Sequence, residues 1–455
     1  MIILKAANLI DGTGKPGVGP AEVHVDGKRI VYAGAAREAP PVASTNGTTQ
    51  VINLGQRTLL PGLIDCHAHP VSYAGDSHAV WADEARVLFA TEQMRRALLS
   101  GVTTIRNTGS PRNTAYALKA AVDAGVVPGP RLVIAGAIVC STGGHGWPGG
   151  GEVDGPDAVR REVRDRFKNG ATFIKLTATG GGTVGTVRHR ATFTVEELAS
   201  AAKEAIQHDS YATAHVHGTE GIVRCLDAGV QMLEHATFVL EDNVEYFNAE
   251  VAARIVDQNV PIVPTVQVYG RWVETSPGHL DGLTTDEIDE WQARYSKLTV
   301  AVPPFPRLDR IPAAELKLWE HRFNSFNRRV ELVGQLYRAG VVLLMGSDGG
   351  GRPGPIDDLG HGIQLHVKAG VPVLEAIASA TGLAAKWMRV ADVTGSLVAG
   401  LEADVIAVDG DPLQDITSLS RVDFVMRGGI AYKIPAGAAR SAEAEFLLAA
   451  GATAR

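Results

Sequence analysis

Three cysteines in 455 residues, Cys66, Cys140 and Cys225, are too few and too dispersed for a disulfide framework, and their number is odd. A reducing, cytoplasmic setting is the expectation. Basic charge is not in excess: 43 Lys and Arg stand against 50 Asp and Glu, a formal net charge of −7. That balance argues against a nucleic-acid partner. No apolar run is long enough to span a bilayer, so no membrane partner is expected. The opening MIILKAANLIDGTG lacks the basic start, long apolar segment and small-residue cleavage site of a secretion signal, and reads as a strand followed by a turn. Repeats and low-complexity tracts are absent. The chain does have length, enough for a large core plus an accessory domain, and 51 glycines.

The pattern changes along the chain. Residues 1–58 carry short β-like runs punctuated by Gly and Pro, such as AEVHVDGKRIVYAG. From Pro61 onward, apolar strands alternate with helix-length amphipathic segments, the signature of βαβ units and a parallel sheet. Eight strands are read: GLIDCHAH, VTTIRNTG, RLVIAGAIVC, TFIKLTATG, YATAHVHG, VQMLEHAT, VPIVPTVQV and VVLLMGSDGG. The helix VEELASAAKEAIQHD has Thr194 as its expected N-cap. Eight such units make a (β/α)8 barrel, predicted over residues 59–390. An insertion at about 270–325 holds Tyr269, Trp272, Trp291, Tyr295 and Trp319. It is either a surface helical excursion or a lid that walls a pocket. Short strands return over 391–435 and are expected to join those of 1–58 in one small β-sandwich. The segment 436–455 is Ala-rich and predicted helical.

One stretch is chemically pointed. GLIDCHAHP, residues 62–70, reads as a strand ending in two histidines one residue apart. Alternation places His67 and His69 on one face, with Asp65, and turns Cys66 and Ala68 the other way. Two converging imidazoles can grip a divalent cation. A lysine inside the apolar strand TFIKLTATG needs a reason, because a buried charge is costly unless paired. Alternation points Lys175 inward with Phe173 and Thr177, leaving Ile174 and Leu176 for the surrounding helices. His215 and His217 share a face in YATAHVHG, His235 lies in MLEHAT, and Asp348 follows the last apolar strand. These residues fall at the C-terminal ends of strands one, four, five, six and eight, which meet at one rim in a barrel.

With these motifs in place, the chain resembles the amidohydrolase superfamily over nearly its whole length. The matching segments are GLIDCHAHP, GVTTIRNTG, GPRLVIAG, STGGHG, FIKLTATGG, AHVHGTEGI, LEHAT, GSDGG and GLEADVIAVDGDPLQDI. STGGHG and the TATGG after the lysine point to its imidazolonepropionase-like and prolidase-like branch. The resemblance implies a binuclear metal centre in which the Lys175 amine is carboxylated by CO2 to a bridging carbamate. His67 and His69 would bind one ion together with Asp348, and His215 and His235 the other. His217 is the alternative to His215. Zn suits mixed imidazole and oxygen ligands, and Co, Mn, Ni and Fe remain compatible. Family habit also implies a homo-oligomer.

The implied chemistry is hydrolysis of a C–N amide bond by a metal-bridging hydroxide. Asp348 would accept the nucleophile's proton and pass one to the departing nitrogen. His145, in TGGHGWPGG, would hydrogen-bond the oxyanion or a substrate carboxylate. TVRHR, with Arg188, either faces a carboxylate-bearing substrate or forms a solvated basic turn. His217, Tyr269 and Trp272 complete the candidate substrate contacts. The expected substrates are small molecules, dipeptides or N-acyl amino acids. An alternative enzyme reading is an aryl urea or carbamate-type hydrolase of the herbicide-degrading kind. The reading from another class is a catalytically inactive assembly protein, which the complete set of suitable ligands opposes.

Overall fold

The computed structural model describes residues 1–41, 49–71, 82–268, 313–350 and 355–436, with side chains from 324 onward in the helix Ala313–Arg338. Most of the 270–325 insertion and all but the first residue of the predicted helical tail lie outside the described residues. The central feature is a set of parallel strands. Leu63–Ala68, Val102–Asn107 and Arg131–Ile134 form one sheet. Ile174–Thr177, Ala212–Gly218, Met232–Val239 and Ile262–Val263 form another. Backbone hydrogen bonds join their edges. Thr172 N–H donates to Ile134 O at 2.8 Å and Val139 N–H to Lys175 O at 2.9 Å. On the other side, Leu344 N–H donates to Ile262 O and Cys66 N–H to Met345 O, each at 2.9 Å. The segment around 341–350 thus bonds to strands on both sides, and the architecture is α/β of the TIM-barrel type.

Helices cover the outer surface of these strands. Ile174 and Leu176 pack with Val163, Leu198 and Ala201 of the neighbouring helices, as alternation predicted. Phe173, the residue on the Lys175 face, joins a separate apolar cluster with Val133, Tyr211, Met232, Val263 and Leu344. The helix Val195–Gln207 begins at a capping box: Thr194 Oγ1 accepts from Glu197 N–H at 3.2 Å, and Glu197 Oε2 accepts from Thr194 N–H at 2.8 Å. Such a cap stabilises a helix by ~1 kcal/mol. The predicted strand RLVIAGAIVC is broken. It leaves the ladder after Ile134, and Gly136 follows at φ +75°, where a Cβ would lie 2.2 Å from the Tyr116 hydroxyl.

The terminal segments meet in two further sheets. Ile2–Ala6, Ala21–Asp26, Arg29–Ala35 and Gln50–Asn53 make one. Asn8–Leu9 and Thr58–Pro61 join Val405–Val408, Val422–Arg427 and Ile430–Lys433 in the other. Leu4, Val23 and Ile52 from the first share an apolar cluster with Leu59, Val405 and Phe424 from the second. Among the described residues, no helix is long and apolar enough to cross a membrane.

Candidate metal centre

The first strand delivers His67 and His69 side by side, with their Nε2 atoms 3.3 Å apart. Asp348 reaches both, its Oδ1 lying 3.5 Å from His67 Nε2 and 3.4 Å from His69 Nε2. The backbone explains the meeting: Asp348 N–H donates to His67 O and His69 N–H to Gly349 O, both at 2.7 Å. Asp348 itself is held at φ +52°, a left-handed conformation unfavourable for a residue with a Cβ. Asp65, on the same strand face as the histidines, serves a structural role. Buried, it accepts from His67 N–H and Ser347 N–H, each at 3.0 Å, and from the Ser347 hydroxyl at 2.5 Å. Burial raises its pKa to about 6 despite these donors.

The tautomers of this pair are fixed by their partners. His67 Nδ1–H donates to Glu234 Oε2 at 2.7 Å, and His69 Nδ1–H to Gly109 O at 3.0 Å. Both Nε2 atoms therefore present lone pairs toward each other and toward a carboxylate oxygen. Three electron-rich atoms at this spacing repel unless a cation sits among them. Glu234 is fully buried and also accepts from Arg106 Nη2 at 2.6 Å and from the Thr213 hydroxyl. Although burial opposes ionisation, Arg106 and then Lys175 hold its carboxyl well below the usual range.

A second cluster gathers His215, His217 and His235, with one ring nitrogen from each lying within 4.8 Å of the others. Their second contacts are neutral. His215 Nε2–H donates to Gly180 O at 3.2 Å, His217 Nδ1 pairs with Thr237 Oγ1 at 2.8 Å, and His235 Nδ1 pairs with Thr265 Oγ1 at 2.7 Å. Burial first, and neighbouring positive charges second, keep all three imidazoles neutral well below the usual histidine range. Neutral imidazole is the form that binds metal. The structure thus brings His217 as close to the cluster as His215. The two groups approach each other, with the His67 and His235 ring centroids 5.0 Å apart.

Lys175 belongs to both neighbourhoods. It is 2% exposed, and its Nζ has no hydrogen-bond partner. Burial pulls its pKa down to about 8. After burial, its charge also lowers the pKa of His67 and His145, each to about 4, and that of His215 and His235. An orphaned amine among lone-pair donors is the residue whose surroundings lack a counterpart. An anionic group on Nζ together with divalent cations would satisfy all of these atoms at once. The donor set fits the metal centre expected from the sequence.

His145 also arrives at the centre, its ring centroid 4.3 Å from that of His215. Its Nδ1 accepts from Thr183 N–H at 3.2 Å and lies 2.8 Å from Thr183 Oγ1, so the proton resides on Nε2. Gly181 makes this approach possible, since a Cβ there would lie 2.6 Å from His145 Cδ2 and 2.6 Å from His215 Nε2. Arg188 lies farther out. Its Nη2 is 3.7 Å from Glu245, a buried carboxylate that also pairs with Arg328 and Arg329, and its side chain is 25% exposed. Tyr269 and Trp272 fall outside the described residues.

Residues 58–431 match the amidohydrolase family. The chain belongs to that family. It is a hydrolase acting on carbon–nitrogen bonds. Ochratoxinase of Aspergillus niger is 27% identical over an alignment covering 95% of this chain and 87% of that protein. A crystal structure of a Xaa-Pro dipeptidase with bound methionine in its active site is 27% identical and matches with a TM-score of 0.76, covering 95% of this chain and 99% of that one. The crystal structure of A. niger ochratoxinase matches with a TM-score of 0.74 at 25% identity, covering 96% of each chain. This amidohydrolase therefore combines the family's metal-binding donor types with an overall shape shared along nearly its entire length.

Sequence reasoning missed the residues that orient the site's histidines: Glu234, Arg106, Thr237, Thr265 and Thr183. Glu234 was the detectable one, an acidic residue inside the apolar run VQMLEHAT. Strand alternation would send Glu234 and His235 to opposite faces. His235 instead takes φ +67°, which breaks the alternation and lets both neighbours border His67.

Proposed function

We propose that this amidohydrolase cleaves the C–N amide bond of a dipeptide or an N-acyl amino acid. The supporting framework is a (β/α)8 barrel, with the terminal segments forming a β-sandwich beside it. The observation that carries the reading is the partnerless Lys175 amine beside two groups of inward-facing metal-ligand atoms. A neutral amine at this position can add to CO2 and lose one proton, which leaves an anionic carbamate. His67, His69 and Asp348 would hold one divalent ion, His215 and His235 the other, and carboxylated Lys175 both. Zn is the first choice for this set. When bound, such ions acidify water into a nucleophile at neutral pH and polarise a carbonyl.

The chain's own groups account for the remaining steps. Asp348, whose side chain is 24% exposed, is reachable by substrate and sits beside both His67 and His69. It takes the proton of the attacking water and hands one to the leaving nitrogen. His145 presents Nε2–H to the carbonyl oxygen as negative charge develops there. Neutral at ordinary pH, it acts as a hydrogen-bond donor rather than a cation. Arg188, whose positive charge helps keep the buried His217 neutral, is the candidate partner for a substrate carboxylate. A cation in that role would favour amino-acid substrates over uncharged aryl ureas.

A panel of dipeptides, N-acyl amino acids and aryl ureas, assayed with metal-replete protein, tests the reading. Amino-acid release from the first two classes is expected. Turnover confined to aryl ureas or carbamates would overturn the substrate assignment. Protein lacking stoichiometric transition metal after metal-replete expression would favour the inactive assembly reading.

A further inference from the structure

We propose a second ligand site, at the end of the parallel strands opposite the metal centre, that binds a small carboxylate with an aromatic body. The cavity there has a volume of about 560 Å³. That falls within the range of small-molecule sites. Its position follows from the strands. Tyr211 immediately precedes Ala212–Gly218, Met232 opens Met232–Val239, and Val260 lies just before Ile262–Val263. The ligand-bearing residues His215 and His235 come later in their strands. This site is independent of the hydrolase reading.

The lining defines the ligand. Tyr211, Val260, Leu383 and Trp387 offer apolar and aromatic walls. Lys386 and Arg389 supply two cationic heads, and no carboxylate lines the cavity among the described residues. Both cations are exposed, and neither pairs with a carboxylate among the described residues. The remaining polar lining is amide, from Gln231, Gln258 and Asn259. An aromatic ring packed against Trp387 and Leu383, with an anionic group beside Lys386 and Arg389, matches this lining in character and sign.

The cationic side is held in place. Arg389 adopts φ +58°, a left-handed conformation rare for a residue with a side chain. In that conformation its Nη1 donates to Asp209 O at 2.8 Å, and its guanidinium lies 5.6 Å from the Tyr211 ring centroid. Tyr211 is stacked in turn on Phe173, with centroids 5.4 Å apart and planes at 12°. The cation and the aromatic wall are therefore fixed before any ligand arrives.

Calorimetric titration of the metal-loaded full chain with 4-phenylbutyrate and with 4-phenylbutanamide tests the proposal. The acid should bind saturably, and the neutral amide at least about tenfold more weakly. The double variant Lys386→Glu/Arg389→Glu should lose acid binding while its hydrolytic turnover stays unchanged. Should that variant fail to fold, Lys386→Gln/Arg389→Gln carries the same prediction. Three results would overturn the site: no saturable binding of the acid, equal binding of acid and amide, or undiminished acid binding in the variant. Sedimentation showing that the variant dissociates an assembly present in the native protein would also overturn it, because the face would then receive a second copy of this chain.

Discussion

The two ligand clusters differ in how their imidazoles are supported. His67 is backed by the ionised Glu234, which Arg106 neutralises in turn, and its cluster includes the carboxylate Asp348. In the other cluster, His215, His217 and His235 rest on a backbone carbonyl and two threonine hydroxyls. A carboxylate behind a ligating histidine raises its basicity and fixes its orientation more firmly than a neutral partner does. The cation at His67 and His69 should therefore be the tighter of the two, and the three-histidine cluster the more exchangeable.

The largest expected effect is the loss of the residue proposed to serve both clusters. Lys175→Ala should lower kcat by more than about a thousandfold, beyond the 10–100-fold typical of an outer partner. Added short carboxylic acids should restore part of the rate by occupying the vacated space. Full activity in this variant, measured at saturating substrate, would refute the bridging role.

Glu234→Gln comes next. It keeps the volume but removes the charge behind His67, and should weaken one cation by about 10–100-fold in chelator competition. Thr265→Val, the matching change behind His235, should have the smaller effect. An inverse order would break the contrast between the clusters. Timed dialysis against a chelator sharpens it: one metal equivalent should leave early and the other late, with the late phase shortened by Glu234→Gln.

Gly181→Ala should affect His145 and His215 together, because the added Cβ would lie 2.6 Å from each ring. A cost of about 1–3 kcal/mol, shown as lowered kcat and weaker retention of the early-leaving ion, is expected. A neutral result would mean that this loop yields easily.

The smallest effect on activity should come from a buried histidine outside both clusters. His366 is 1% exposed, with neither ring nitrogen hydrogen-bonded, and burial lowers its pKa to about 4. Unfolding restores an ordinary value near 6.5. Between these two values the unfolded chain takes up a proton that the folded chain refuses, so stability falls as the pH drops from about 6.5 toward 4. His366→Leu should flatten this decline in denaturant titrations without changing kcat at neutral pH. An unchanged slope would contradict the assignment.

Strand alternation, the H-x-H motif and the order of the strands made much of the centre legible. The structure gathers His67, His69 and Asp348 in one group and His215, His217 and His235 in another, with Lys175 buried near His67, because strand-end residues of a parallel set share one rim. What stayed hidden depends on non-repetitive backbone. The left-handed residues His235 and Asp348 place Glu234 and the carboxylate where alternation would not. The His145 tautomer rests on Thr183, 38 positions away in the chain. In the same way, the tight contact at Gly136 needed Tyr116 to be visible.

The most direct test is a crystal structure of metal-replete protein grown with bicarbonate, read at Lys175. A carboxylated Nζ between two cations is expected, one cation on His67 and His69 and the other on His215 and His235. A bare amine at Lys175 with both cations in place would contradict it.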